Sequence, residues 1–270
     1  MPELIAIHDP ADPRIEAYRD IRERDLVGRR GLFVAEGTVV LEKLAAGSGH
    51  ATLSLLIADK RVAALEPLWS RLPDGVPVFV AAQGVVDAIA GFPLHRGVLG
   101  IGRRAEERGA DAVMGEAVAR DPGAGVLVLC GIANHDNMGG IFRNAAAFGV
   151  GAVLLDSDCC DPLYRKAIRV SVGGALTVPF ARLGAGEDPL ALLARHGFAA
   201  VALSPAGALP LSKWRPAPRS AVLLGAEGPG LDPALLARTT TVTIPMAAGF
   251  DSLNVATTSG IVLHHLVSRR

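Results

Sequence analysis

The sequence predicts an α/β protein of two domains, and three observations predict it. Short apolar runs alternate with segments of helical spacing along almost the whole chain. In the second half those runs, at 126–130 and 150–155 for example, are apolar throughout, the pattern of parallel strands covered on both faces. Between the halves, residues 103–125 are first densely charged and then small and Gly/Pro-rich, as a linker is. The expected organisation is a small α/β domain over 1–102, a linker over 103–125 and a parallel-sheet domain over 126–270.

Composition bounds the rest. A chain of 270 residues with 50% hydrophobic residues and 31 Gly has material for two cores. Lys+Arg 27 against Asp+Glu 27 gives a net charge of zero, so no global field draws in nucleic acid or an anionic membrane. Any polyanion is met by local clusters, and Arg dominates the cations, with Lys only at 43, 60, 166 and 213. The three cysteines, Cys130, Cys159 and Cys160, show no C-x-x-C spacing, so neither a disulfide framework nor a metal site is expected. The N-terminus lacks a basic start followed by an apolar run, and no stretch approaches the roughly 18 apolar residues of a membrane span. These features point to a reducing, cytoplasmic setting, without membrane or metal.

Residues 12–30 interleave Arg14, Arg19, Arg22, Arg24, Arg29 and Arg30 with acids. Ile15, Tyr18, Ile21 and Leu26 recur through them at helical spacing. This reads as an amphipathic helix, either a solvated surface or an RNA-contacting face. A strand over 31–37, a helical pattern from Val39 to Leu44, strands at 53–58 and 76–80, helical segments near 60–71 and 82–90, and a last strand over 95–101 complete the first domain. In the second, strands at 126–130, 150–155, 177–180, 199–203, 221–224 and 242–244 alternate with helical stretches at 141–148, 163–172, 190–196 and 233–238, before a final helix. On the 163–172 stretch Arg165, Lys166 and Arg169 form a basic face, solvated or RNA-contacting.

Ligands of open parallel sheets sit at the carboxyl ends of the strands, and three loops there carry chemistry. The first, Gly131-Ile-Ala-Asn-His-Asp-Asn137-Met-Gly139-Gly140-Ile-Phe-Arg143, pairs glycines that permit a close backbone approach with an Arg one helical turn on. It is either an anion site or a capped helix start with a surface Arg. The second, Leu224-Gly225-Ala226-Glu227-Gly228-Pro229-Gly230-Leu231, lacks G-x-G-x-x-G spacing, and Glu227 would repel a pyrophosphate. A cationic or neutral ligand suits it better. The third runs from Ile244-Pro245-Met246 through Ser252-Leu253-Asn254 into the last helix, where Ser252 and Asn254 either cap free N–H groups or face a ligand. His264 and His265 on that helix read as a packing or dimer-face pair, and Cys130 reads as core.

Taken together and in this order, Asn137-x-Gly139-x-x-x-Arg143, the Leu224–Leu231 loop and Ile244-Pro-Met through Ser252-Leu-Asn-Val resemble the SpoU (TrmH) family of RNA ribose 2′-O-methyltransferases, within the SPOUT superfamily. The resemblance covers 126–270, and 1–102 resembles the L30e-type RNA-binding domain. It departs at Ala256-Thr-Thr-Ser259, where the family has a more Ser/Val/Ala-rich helix start, and at His135-Asp136 in the first loop. The resemblance implies a C-terminal trefoil knot, an exception to the usual connection rules. It also implies a homodimer through the C-terminal domain, with active sites built from both subunits. S-adenosylmethionine would be held near Leu224, Gly225, Gly230, Ile244, Met246 and Leu253. Arg143, Asn137, Glu227, Ser252 and Asn254 would form the catalytic set, with Glu227 holding Arg143 or balancing the sulfonium charge. The RNA would be rRNA or tRNA. The alternative is a non-catalytic RNA-binding or ribosome-associated factor that keeps the fold.

Overall fold

The structure, a computed structural model, describes residues 2–19, 31–47, 49–94 and 97–269. In chain order its main elements begin with β1 (Leu4–Ala6), β2 (Leu32–Glu36), α1 (Thr38–Ala45), β3 (Ala51–Ala58), β4 (Val78–Ala81), α2 (Gln83–Ala90), β5 (Val98–Arg103) and α3 (Ala110–Arg120). There follow β6 (Val126–Cys130), α4 (His135–Ala147), β7 (Ala152–Leu155), α5 (Arg165–Val170), β8 (Phe180–Arg182), α6 (Pro189–Arg195) and β9 (Ala199–Leu203). The last are β10 (Leu209–Pro210), β11 (Ser220–Gly225), β12 (Thr240–Thr243) and α7 (Val255–Ser268). Two compact units result, one of residues 1–106 with 163–177, the other of 107–162 with 178–270.

The first unit is built on a five-stranded sheet of order β1-β4-β3-β5-β2, in which β1, β4 and β3 are parallel and β5 runs antiparallel to both β3 and β2. Ile15, Tyr18, Leu56, Phe79, Val86, Ile89 and Leu99 form one buried cluster on it. Residues 163–177, which the sequence pattern groups with the second domain, belong to this unit. Packing of α5 on β2 and a buried ion pair make that attachment. Arg165 Nη1 donates to Glu36 Oε2 at 2.6 Å, with the side chains only 15% and 8% exposed, and the guanidinium lies 5.1 Å from the centroid of the Phe92 ring. Arg165 is therefore not part of a solvated or RNA-facing stripe; Arg169 is exposed.

The second unit is a seven-stranded, all-parallel sheet of order β10-β12-β9-β11-β6-β7-β8. Val126, Val128, Leu154 and Leu223 turn to one face, where Val113 and Met114 of α3 and Leu192 and Leu193 of α6 cover them. By the two-residue period of a strand, Leu127, Leu129, Leu155 and Leu224 turn to the other. α4 and α7 pack against each other, burying Ile141, Phe142, Val262 and Leu263. Contact between these two helices is unusually close. A Cβ added at Gly140 would lie 2.6 Å from the Ala256 Cβ, and one at Gly260 would lie 3.2 Å from Asn144 Nδ2. The glycine next to Arg143's turn thus serves helix packing.

Several boundaries differ from expectation, for local reasons. Of the helix expected over 12–30, the described part is a six-residue 3-10 helix, Pro13–Tyr18, whose start is fixed by Pro13 and by Asp12 accepting from the Arg14 N–H. Residues 20–30, with Arg22, Arg24, Arg29 and Arg30, lie outside the described residues, as do His95 and Arg96 of the last expected strand. The segment near 60–71 forms two short 3-10 turns and the single turn Glu66–Trp69. The strand expected at 177–180 starts at Phe180, because Gly174–Thr177 is a helical turn and Pro179 has no N–H to give to a ladder. Helix α4 begins at His135, where Asn134 caps it, so Asn137, Gly139, Gly140 and Arg143 stand on a helix and not in a loop. Strands β1 and β10 carry too few residues for periodicity to reveal them.

Two stability outcomes follow. Glu36→Ala leaves a buried guanidinium without its carboxylate and lowers unfolding free energy by about 3–5 kcal/mol in denaturant titration; combining Glu36→Leu with Arg165→Met recovers most of that loss. Gly140→Ala forces the two helices apart and costs about 1–3 kcal/mol. Adding Ala256→Gly restores stability relative to Gly140→Ala alone, a sign reversal that independent sites would not give.

Candidate active site

All the strands of the second sheet are parallel, so β6, β11 and β12 deliver their following loops to one edge. The turn after β11 closes over the strand that precedes it. Gly230 N–H donates to Ala226 O at 3.1 Å, and a Cβ at Gly225 would lie 2.4 Å from the carbonyl carbon of Gly230. Only glycine fits at 225, and Gly228 and Gly230 take φ of +89° and +72°, which side chains resist. Beside this turn, the segment after β6 is pinned by Asp156 at the end of β7. Its carboxylate accepts from the Gly131 N–H at 3.0 and 2.9 Å, from Asp158 N–H at 3.1 Å and from Cys159 N–H at 3.0 Å.

Asn254 joins the three segments. Its Oδ1 accepts from the Ala256 and Thr257 N–H groups at 3.0 and 3.1 Å, capping α7. Its Nδ2 donates to Asn137 Oδ1 at 2.8 Å and to Glu227 Oε1 at 3.0 Å. One side chain therefore satisfies the start of the last helix while linking α4 to the glycine-rich turn. A second asparagine, absent from the sequence expectation, supports it: Asn144 Nδ2 donates to Ala256 O at 2.8 Å and to Ser259 Oγ at 2.9 Å. Both asparagines point at a helix start that the Gly140–Ala256 approach has brought within reach.

A cavity of about 690 Å³ opens beside this node. Leu224, Gly225, Gly230, Ile244, Met246 and Leu253 all line it, as do Glu227, Ser252 and Asn254. Ser204, Pro205, Asp251 and Thr258 also line it, and the sequence reading did not single them out. The position of Ser204 and Pro205 just past the carboxyl end of β9 is the signal that would have found the first two. No Lys, Arg or His is among the described lining residues, and two carboxylates, Glu227 and Asp251, are. The walls suit an uncharged or cationic molecule with an apolar body.

Asn137 and Arg143 are not in that lining. Asn137 is buried and reaches it through Asn254, whereas Arg143 is exposed and makes no hydrogen bond or ion pair with another described residue. Six residues along a helix turn the side chain by about 240°, so the two cannot share a face. Within one chain Glu227 accepts from Asn254 and does not meet Arg143. Of the histidines of α7, His265 stacks on Trp214 at 5.7 Å and its Nε2 lies 3.0 Å from the Trp214 carbonyl, while the exposed His264 meets the Phe148 ring edge-on. Burial, aided by Asp156, pushes the Cys130 thiol up to about 12 and raises Cys159, so neither is a ready nucleophile. Among the described residues no group of three or more His, Cys, Asp or Glu is placed to hold a metal, and no helix is long and apolar enough to cross a membrane.

The model of the SpoU rRNA Methylase family matches residues 124–264. The chain is 41% identical over 265 residues to an uncharacterised tRNA/rRNA methyltransferase of Mycobacterium bovis, covering 95% of this chain and 89% of the relative. It is 30% identical over 204 residues to a 23S rRNA (guanosine-2′-O-)-methyltransferase of Acinetobacter baylyi, covering 73% and 81%. Its fold is similar to that of an AdoMet-bound rRNA methyltransferase from Sinorhizobium meliloti, with a TM-score of 0.81 at 22% identity over 98% of both chains. It is also similar to the SpoU methyltransferase AviRb from Streptomyces viridochromogenes in complex with AdoMet, with a TM-score of 0.78 at 22% identity over 96% of this chain and 99% of that one. With the family model spanning the strands, turn and helix that build the cavity, the chain belongs to the SpoU rRNA Methylase family.

Proposed function

We propose that this protein transfers a methyl group from S-adenosylmethionine to a ribose 2′-hydroxyl of rRNA or tRNA. The observation that carries the reading is the Asn254 node, which ties Asn137, Glu227 and the cap of α7 together beside a cavity free of basic residues. The names of the relatives support it: one is a guanosine 2′-O-methyltransferase, and two solved structures of the same fold hold AdoMet.

The residues present fit that cofactor. Leu224, Ile244, Met246 and Leu253 offer apolar surface for a purine ring, the backbone at Gly230 is open to close approach, and Glu227 and Asp251 offset a sulfonium or ammonium charge. When bound, S-adenosylmethionine supplies an already electrophilic methyl carbon, so the protein's work is alignment to within about 3–3.5 Å and stabilisation of developing negative charge. Arg143 does the second. Its planar cationic fork of donors grips the adjacent phosphate and stabilises the alkoxide character of the attacking oxygen, whose proton passes to solvent water. Asn137, Ser252 and Asn254 orient the ribose and the loops, and Glu227 holds Asn254 in place while facing the positive donor.

Arg143 stands outside the cavity lining of its own chain, which supports an active site completed by a second copy through the C-terminal domain. We further place the protein in the cytoplasm, assign RNA capture to an L30e-like first unit, and infer that the segment from 244 into α7 is threaded as a trefoil knot. The return of α7 from β12, near one end of the sheet, to α4, which follows the interior strand β6, supports that threading.

The deciding experiment is transfer of labelled methyl from S-adenosylmethionine to separated rRNA and tRNA pools from cells lacking the protein. Alkaline hydrolysis follows, which leaves a 2′-O-methylated linkage uncut. Label in one pool, on an alkali-resistant dinucleotide, is expected; label on a base, or none in either pool, overturns the reading. Arg143→Ala lowers kcat by at least about 100-fold with S-adenosylmethionine affinity unchanged, and Arg143→Lys does not restore it. Gly225→Ala displaces the turn that its Cβ would strike and abolishes cofactor binding in calorimetry while the fold persists by circular dichroism.

A further inference from the structure

Among the exposed large hydrophobic side chains of the described residues, Phe250 is the single aromatic, and it is 73% exposed. Its position is fixed locally. The Phe250 N–H donates to Ala247 O at 3.2 Å, closing a turn whose third residue, Gly249, takes the φ of +88° that such a turn requires. The ring is thereby presented on a defined turn inside the segment joining Met246 to Ser252, both of which line the cofactor cavity.

Phe250 also forms part of the wall of a second recess of about 450 Å³. That recess is continuous with the first cavity, because Pro205, Ile244, Met246 and Asp251 belong to both. It is wide and shallow, open to solvent, with apolar walls of proline and phenylalanine and one carboxylate. Such a surface takes a flat, partly polar molecule. A phosphate is repelled by Asp251, whereas the amino edge of a base donates to it and the face of a base stacks on an aromatic ring.

We propose that Phe250 is a substrate-positioning residue, the platform on which a nucleobase of the RNA at or beside the target nucleotide stacks, with the Asp251 carboxylate excluding the phosphate backbone from the same recess. The proposal rests on the methyltransferase reading and deepens it, because the ring fixes which ribose is presented to the donor cavity. Unstacked bases of single-stranded RNA are the form such a platform accepts.

The test measures methyl transfer to total RNA from a strain lacking the protein, with S-adenosylmethionine affinity by calorimetry and oligomeric mass by sedimentation, for the full-length chain and its F250A, F250L and F250W variants. F250A and F250L are expected to raise KM for RNA by about 5- to 100-fold, F250W to stay within about 3-fold of the parent, and cofactor affinity and mass to remain unchanged. A parallel fall in S-adenosylmethionine affinity would make the ring a cofactor lid, a changed mass would make it a contact between copies, and F250L behaving as the parent would remove stacking; each overturns the proposal. The indole of F250W gives a readout without turnover. Quenching by single-stranded RNA with no methyl transfer from any form leaves the platform standing and sinks the methyltransferase reading. Normal transfer by F250A does the reverse.

Discussion

The site depends on how closely two helices approach. Helices in globular proteins usually lie 8–10 Å apart, held off by their side chains. At Gly140 and Gly260 the side chain is missing on one partner, and the other partner, Ala256 or Asn144, occupies the vacated space. Only at that separation does Asn144 reach a main-chain carbonyl and a hydroxyl in the first turns of α7, and only then does the cap of α7 meet Asn137 of α4. The glycines cost helix propensity, roughly 1 kcal/mol each, and what they secure is the geometry of a polar node whose members come from three distant stretches of chain.

That node separates two electrostatic settings. On the cavity side the chain offers glycine backbone, apolar side chains and carboxylates, a poor host for phosphate and a good one for a cationic donor with a purine body. On the other side of α4 an arginine stands free of any partner among the described residues, ready for an anion. The six residues of helix between Asn137 and Arg143 set the guanidinium off the face that carries the node, away from any cation its own cavity would take, and offer it outward. A net charge of zero for the whole chain fits a protein that meets RNA by placed groups rather than by a general field.

Much of this was legible in the sequence, and the limits are physical. The glycine-rich turn after β11 could be read because three glycines in six residues answer a local need, tight reversal, that leaves a local trace. The cavity residues on the three motif loops came from the resemblance to the SpoU family, not from spacing or periodicity. Asn144, Asp156 and Asp251 were not, because each acts through partners far away in the chain or through a recess formed only by folding. Gly140 was read correctly as a point of close approach, but its partner turned out to be a helix where a ligand was the expectation. The length of α4 was underestimated because apolar periodicity begins only at Ile141, while its actual start is set by Asn134. Arg165 misled in the opposite way: a basic stripe at helical spacing gives no sign that one member is buried on a carboxylate.

The attachment of residues 163–177 to the first unit makes that unit discontinuous in the chain. During synthesis the strands β1 to β5 leave the ribosome without the segment that neutralises Glu36, and residues 107–162 must emerge before it arrives. At about 5–20 residues per second that delay is several seconds, during which a buried carboxylate waits for its guanidinium. The usual order, in which an N-terminal domain closes before the next begins, is therefore not open to this chain. Its first unit reaches its final form only after β6, α4 and β7 of the second have been made.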